Sequence, residues 1–127
     1  MERSLKPFLL VFAAAQLLIG VLQWAAPGFF YDHIGPFGAR NDHYLGDVAT
    51  FYLALAAAAF VAARRPSWRV PVLALALLQN ALHTINHLID IGNADPSWVG
   101  PFDFVSLLIV TGLLAWMLSI ARRTAPG

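Results

Sequence analysis

The chain has 127 residues, of which 59% are hydrophobic and only 12% charged, with a formal net charge of +1. A soluble domain carries about a quarter charged residues, so this is the composition of a membrane protein, and its charge is too small for nucleic-acid binding. The absence of cysteine excludes disulfide scaffolds, iron–sulfur clusters, cysteine-ligated zinc and membrane thiol oxidoreductase chemistry.

A helix needs about 20 apolar residues to cross a bilayer core of about 30 Å. Four segments reach that length, and each begins or ends at proline or glycine. The first is expected over 7–26, closing at Pro27-Gly28. Its basic start and apolar run invite comparison with a signal peptide, but the run is long and no small-x-small site ends it. It therefore reads as a retained span. Gln16, Gly20 and Gln23 share one of its faces.

A connection of about 16 residues follows, rich in glycine and expected to be loop, with Asn41 or Asp42 capping the next helix. Capping is the preferred reading for Asp42. The loop can also fold over the outer mouth as a lid. The second span is expected over 44–63. His43 lies near its start, Asp47 one turn in and Thr50 on the same face as Asp47. Ala54, Ala58 and Ala62 form a small-residue stripe that would let a neighbouring helix approach closely.

The third span, expected over 70–91, is the most informative. Gln79, Asn80, His83, Asn86, His87 and Asp90 interrupt a run of Leu, Ala, Val and Ile. His83, His87 and Asp90 are spaced four and three apart, which places them on one helical face. Ionisable groups inside a membrane helix are costly and by default mark a function. The fourth span is expected over 101–121, with Asp103 and Ser106 in its first turns.

Charge asymmetry orients the chain. Seven of the eight Lys and Arg residues lie before the first span, between the second and third, or after the fourth; only Arg40 does not. Six of the seven acidic residues, all but Glu2, fall on Arg40's side. The positive-inside rule then places both termini in the cytoplasm of an inner (plasma) membrane. Trp24, Tyr44, Trp98 and Phe102 mark the outer boundary and Trp68 the inner one, as an aromatic belt. The expected fold is all-α: one domain over 1–127, a four-transmembrane-helix antiparallel up-down bundle. Alanine and arginine usage fits a GC-rich bacterial origin.

This topology gathers polar side chains in the outer half. Three chemistries compete there. A divalent transition metal would take ligands from His43, Asp47, His83, His87 and Asp90, because His at i and i+4 can chelate one ion. Acid/base chemistry on a lipophilic small molecule would use Asp47, His83 and His87, because imidazole beside carboxylate titrates near neutrality. Haem ligation by His43 and His87 ranks lower, since His43 lies near the rim. Thr84 stands where the zinc-protease helix motif has its catalytic glutamate, which excludes that class.

The competing class is an accessory subunit of a larger membrane complex. In it the polar cluster is interhelical glue, the preferred reading for Gln16, Gln79, Asn80 and Thr111. An ion conductor is disfavoured, because the inner half offers no titratable path. The expected surroundings are the lipid bilayer and either a lipophilic ligand or a membrane-protein partner, including a second copy. No strong GxxxG pattern points to a dimer.

Overall fold

The computed structural model describes residues 2–124, and these form helices and turns with one isolated bridge. Four helices are long and apolar enough to cross a membrane. They are α1 (Leu5–Ala25), α3 (Asp42–Arg64), α4 (Arg69–Ile89, preceded by a 3-10 turn over Pro66–Trp68) and α5 (Val99–Thr124). A short helix, α2 (Pro27–His33), lies between α1 and α3. Each long helix begins within two residues of its expected start.

Helix α2 corrects the sequence expectation, which read Pro27-Gly28 as a terminator leading into loop. Pro27 does end α1, whose last residue is Ala25. It then occupies the first position of a new helix, where a missing N–H costs nothing. The capping expectation also changes. Asn41 alone caps α3, its Oδ1 accepting from the Tyr44 N–H at 3.0 Å. Asp42 instead accepts two bonds from Arg40, Nε at 2.6 Å and Nη2 at 2.8 Å. This pairing holds the Arg40 guanidinium above its already high ordinary pKa.

Packing is most extensive between α1 and α3 and between α4 and α5, and slighter between α3 and α4. The apolar core draws on all four long helices, with Leu5, Leu9, Leu73 and Leu114 fully buried in it. These four lie toward the chain's basic segments. In α3 the packed alanines are Ala49, Ala56, Ala59, Ala62 and Ala63. The expected stripe therefore holds only at Ala62; Ala54 is exposed and Ala58 half-buried. A strict four-residue spacing drifts around a helix of 3.6 residues per turn, so the contact face follows mixed spacings of three, four and seven.

At the other end the loops pair. Phe37 bridges Ala94 in antiparallel fashion, and the Asp95 N–H donates to the Pro36 carbonyl at 3.3 Å. Gly38 permits this course with a left-handed φ of 63° and offers its carbonyl to the Tyr31 hydroxyl. Behind these loops the start of α5 presses on the end of α4. A Cβ at Gly100 would lie 2.0 Å from the Ile91 carbonyl oxygen, a backbone atom that cannot swing aside. Gly46 has open space around the same position.

Gly100→Ala is therefore expected to lower the melting temperature in detergent, by the equivalent of about 1–3 kcal/mol for overpacking. Gly46→Ala should be neutral or stabilising by up to about 1 kcal/mol, since alanine is the better helix former. Equal melting temperatures for the two variants would contradict the close approach of α5 to Ile91.

Candidate functional site

The polar residues of the spans separate into three groups on different helix faces. The first is a closed hydrogen-bond network between α4 and α5. Asn80 Nδ2 donates to the Leu107 carbonyl at 3.0 Å and to Thr111 Oγ1 at 2.8 Å. Thr84 Oγ1 donates to the Asn80 carbonyl at 2.7 Å and lies 3.0 Å from Thr111 Oγ1. Asn80 and Thr84 are buried. Polar groups out of reach of water must find partners within the protein, and these do. Asn80 and Thr111 are the interhelical glue that the sequence suggested.

The second group is on the exposed face of α3. His43 Nε2 lies 3.5 Å from Asp47 Oδ2, with side-chain exposures of 90% and 65%. Asp47 makes no ion pair with His83 or His87 within 4 Å. The cause is the alanine face: Asp47 is two residues from buried Ala49, about 200° around the helix at 100° per residue. Packing α3 through Ala49, Ala56 and Ala63 necessarily turns Asp47 outward. Asp90 is on α4, away from the α3 pair. It ends α4, and its Oδ1 accepts from Asn93 Nδ2 at 3.0 Å. Among the described residues no three His, Cys, Asp or Glu side chains gather as a metal-ligand set. Of the five candidate ligands, His43 and Asp47 are thus paired on α3, apart from the His83–His87 pair on α4.

The third group does converge. The His83 and His87 rings meet edge to face at 4.7 Å between centroids, as their i, i+4 spacing requires. Phe37, from the paired loops, packs edge-on against His87 at 4.9 Å. The loop thus meets His87 through the Phe37 ring. Nδ1 of His87 is buried without a hydrogen-bond partner. Asp103 of α5 and Asp90 lie within charge-interaction range of His87, and Asp103 also of Tyr52.

His83 faces a cavity of about 480 Å³ between α3 and α4, floored by α1. Its wall is mostly apolar. Phe51 and Leu75, which border it, are 73% and 59% exposed at mid-helix, so the cavity opens on the bundle's flank. Ala54 and Ala58 line it; their small side chains leave this space instead of admitting a neighbouring helix. The polar groups facing it are few: Gln16, Gln79, Tyr52 and His83. Gln16 is 92% buried, and its Oε1 has no hydrogen-bond partner. Gln16 and Gln79 read as glue in the sequence, yet both border the cavity. Tyr52 was not singled out by sequence reasoning. The available signal was the spacing of Val48, Tyr52 and Leu55, which marks one face of α3.

Comparison with known protein families, with curated proteins and with solved structures finds no match to this chain, so its function rests on this geometry.

The separation of glue from cavity is testable by stability. Asn80→Ala removes two hydrogen bonds to α5. At about 0.6 kcal/mol per bond in a membrane bundle, it should destabilise by about 1 kcal/mol. His43→Ala, on an exposed face, should leave the melting temperature unchanged. A destabilisation by His43→Ala as large as that by Asn80→Ala would contradict this division.

Proposed function

We propose that this is a small multi-pass protein of a bacterial inner membrane that holds a lipophilic small molecule between α3 and α4, against His83. The observation that carries the reading is Gln16. A buried amide oxygen without a partner costs about 1–3 kcal/mol, and a cavity wall is where a ligand's hydroxyl or N–H would remove that cost. An apolar space of this size, with a few convergent polar groups, has the character of a small-molecule site. Phe51 and Leu75 at its border favour entry from the bilayer.

His83 supplies a proton donor or acceptor at the ligand's polar end, and His87 touches it from behind. Asp103 lies within charge-interaction range of His87. Acid/base chemistry on the bound lipophile therefore centres on His83, His87 and Asp103, with Asp103 in the place that the sequence assigned to Asp47. The accessory-subunit reading accounts for the Asn80 network but leaves the cavity and the unpartnered Gln16 unexplained. The divided carboxylates and imidazoles withdraw support from a metal centre.

The proposed course is antiparallel, up-down-up-down, with both termini cytoplasmic. Meeting of the 34–41 and 90–98 loops at one end supports the course. The concentration of Lys and Arg at the other supports the orientation.

The ligand reading is tested by extracting purified protein and identifying bound lipophiles by mass spectrometry. Wild type is expected to retain a donor-bearing lipophile. Ala58→Leu, which fills the cavity, should release it. Gln16→Met should also lose it, while ligand-free protein becomes about 1 kcal/mol more stable, because an unsatisfied amide is gone. The same lipophiles in wild type and Ala58→Leu, at equal amounts, would refute the site. Orientation is tested separately by single cysteines at positions 33 and 67. An impermeant thiol reagent on intact cells should label only position 33; labelling of position 67 alone would reverse it.

A further inference from the structure

Three helices bring a polar side chain to the flank cavity at the same depth. Gln16, Tyr52 and Gln79 each lie within one residue of the midpoint of their helix, α1, α3 and α4 in turn. At 1.5 Å per residue that is about 15 Å from either helix end. His83 joins them one turn nearer the looped end. The polar part of a bound molecule would therefore sit near the middle of the bilayer.

Depth and charge narrow the ligand. A phospholipid or fatty acid keeps its charged head at the interface, because charge at a helix centre is costly. No cation waits for it in the cavity: all eight Lys and Arg are among the described residues, and none lines it. The fitting head is thus uncharged. It must also donate a hydrogen bond, since Gln16 Oε1 can only accept and is buried without a partner. Polar groups meet it from two sides, Gln16 from the α1 floor and His83 from the α4 wall. An aliphatic alcohol has one hydroxyl and serves one side only. Phe51 and Tyr52 border the space with rings, which favours a flat aromatic head over a flexible chain. The opening between Phe51 and Leu75 leads onto the bundle's flank, where an apolar tail meets lipid.

We infer, on the reading that this cavity holds a lipophile, that the lipophile is a hydroquinone with a long apolar tail. One ring hydroxyl donates to Gln16 Oε1, the hydroxyl on the opposite edge faces His83, and the tail leaves between Phe51 and Leu75. A neutral imidazole can accept from that second hydroxyl or donate to it. The oxidised quinone has carbonyl oxygens at both positions. These only accept, so they leave the Gln16 oxygen unpaired. The cavity thereby selects the reduced form over the oxidised one.

Three tail-matched probes test this on the full chain in phosphatidylcholine nanodiscs under anaerobic conditions: decylubiquinol, decylubiquinone and decylphenol. Bound amounts are read by mass spectrometry after co-purification. Wild type should retain decylubiquinol about tenfold more than decylubiquinone, the effect of one buried acceptor left unpaired. Decylphenol, with a single hydroxyl, should also be retained less than decylubiquinol. Gln16→Met should bring decylubiquinol down to the level of decylubiquinone, and its ligand-free melting temperature checks the fold. If Gln16→Met does not fold, the three-probe comparison on wild type decides alone. Retention of decylubiquinone or decylphenol equal to that of decylubiquinol would overturn the hydroquinone. Retention of none of the three would overturn it too, and would spare the lipophile reading if wild type still yields another lipophile that Ala58→Leu lacks. No lipophile of any kind in wild type would overturn both.

Discussion

Which face α3 presents to its neighbours decides most of this structure. Apolar side chains gain little by leaving lipid for a protein interior, so membrane helices associate through close packing of small residues and through hydrogen bonds. In α3 the buried set is Ala49, Ala56, Ala59, Ala62 and Ala63. Its partner α1 meets it at Gly20, where a Cβ would lie 2.9 Å from the Leu53 side chain and 3.2 Å from the Ala49 carbonyl oxygen. That choice turns His43 and Asp47 outward. It also leaves Phe51, Tyr52, Ala54 and Ala58 facing a gap that α4 does not fill. The cavity and the dispersal of the carboxylates follow from the same packing.

The buried polar groups divide by whether they are satisfied. Asn80, Thr84 and Thr111 complete one another's hydrogen bonds and join α4 to α5. A closed network of this kind holds helices and needs no ligand. Gln16 Oε1, Gln23 Oε1 and His87 Nδ1 are buried without partners. Of these residues only Gln16 borders the flank cavity, and His87 reaches it through His83. Incomplete hydrogen bonding in a bilayer is expensive enough to require a reason. Here it coincides with empty space of ligand size.

The two ends of the bundle differ in construction. At one end the loops pair with each other through Phe37 and Ala94 and cover His87. At the other, the short connection through Pro66–Trp68 leaves the ends of α1, α3 and α4 apart, with cations around the opening. The apolar core lies nearer this basic end, and the polar groups nearer the looped one.

The sequence by itself determined the helices. Four apolar runs of about 20 residues have few alternatives in a chain with so little charge, and each helix begins within two residues of its expected start. It also determined that His83 and His87 touch, because i, i+4 contact is a property of the helix alone. Helix α2 escaped because Pro27 both ends one helix and starts another. The partners of the imidazoles escaped for a different reason. Depth in the membrane can be counted along each helix, and by that count Asp47 and His87 are neighbours. Rotation about the helix axis cannot be counted. It depends on which small residues of α3 meet α1, and here those are at Ala49 and Ala56, not along Ala54 and Ala58. Tertiary packing therefore decided that Asp47 faces outward, that Asp103 comes within charge-interaction range of His87, and that Gln16 and Tyr52 border the cavity.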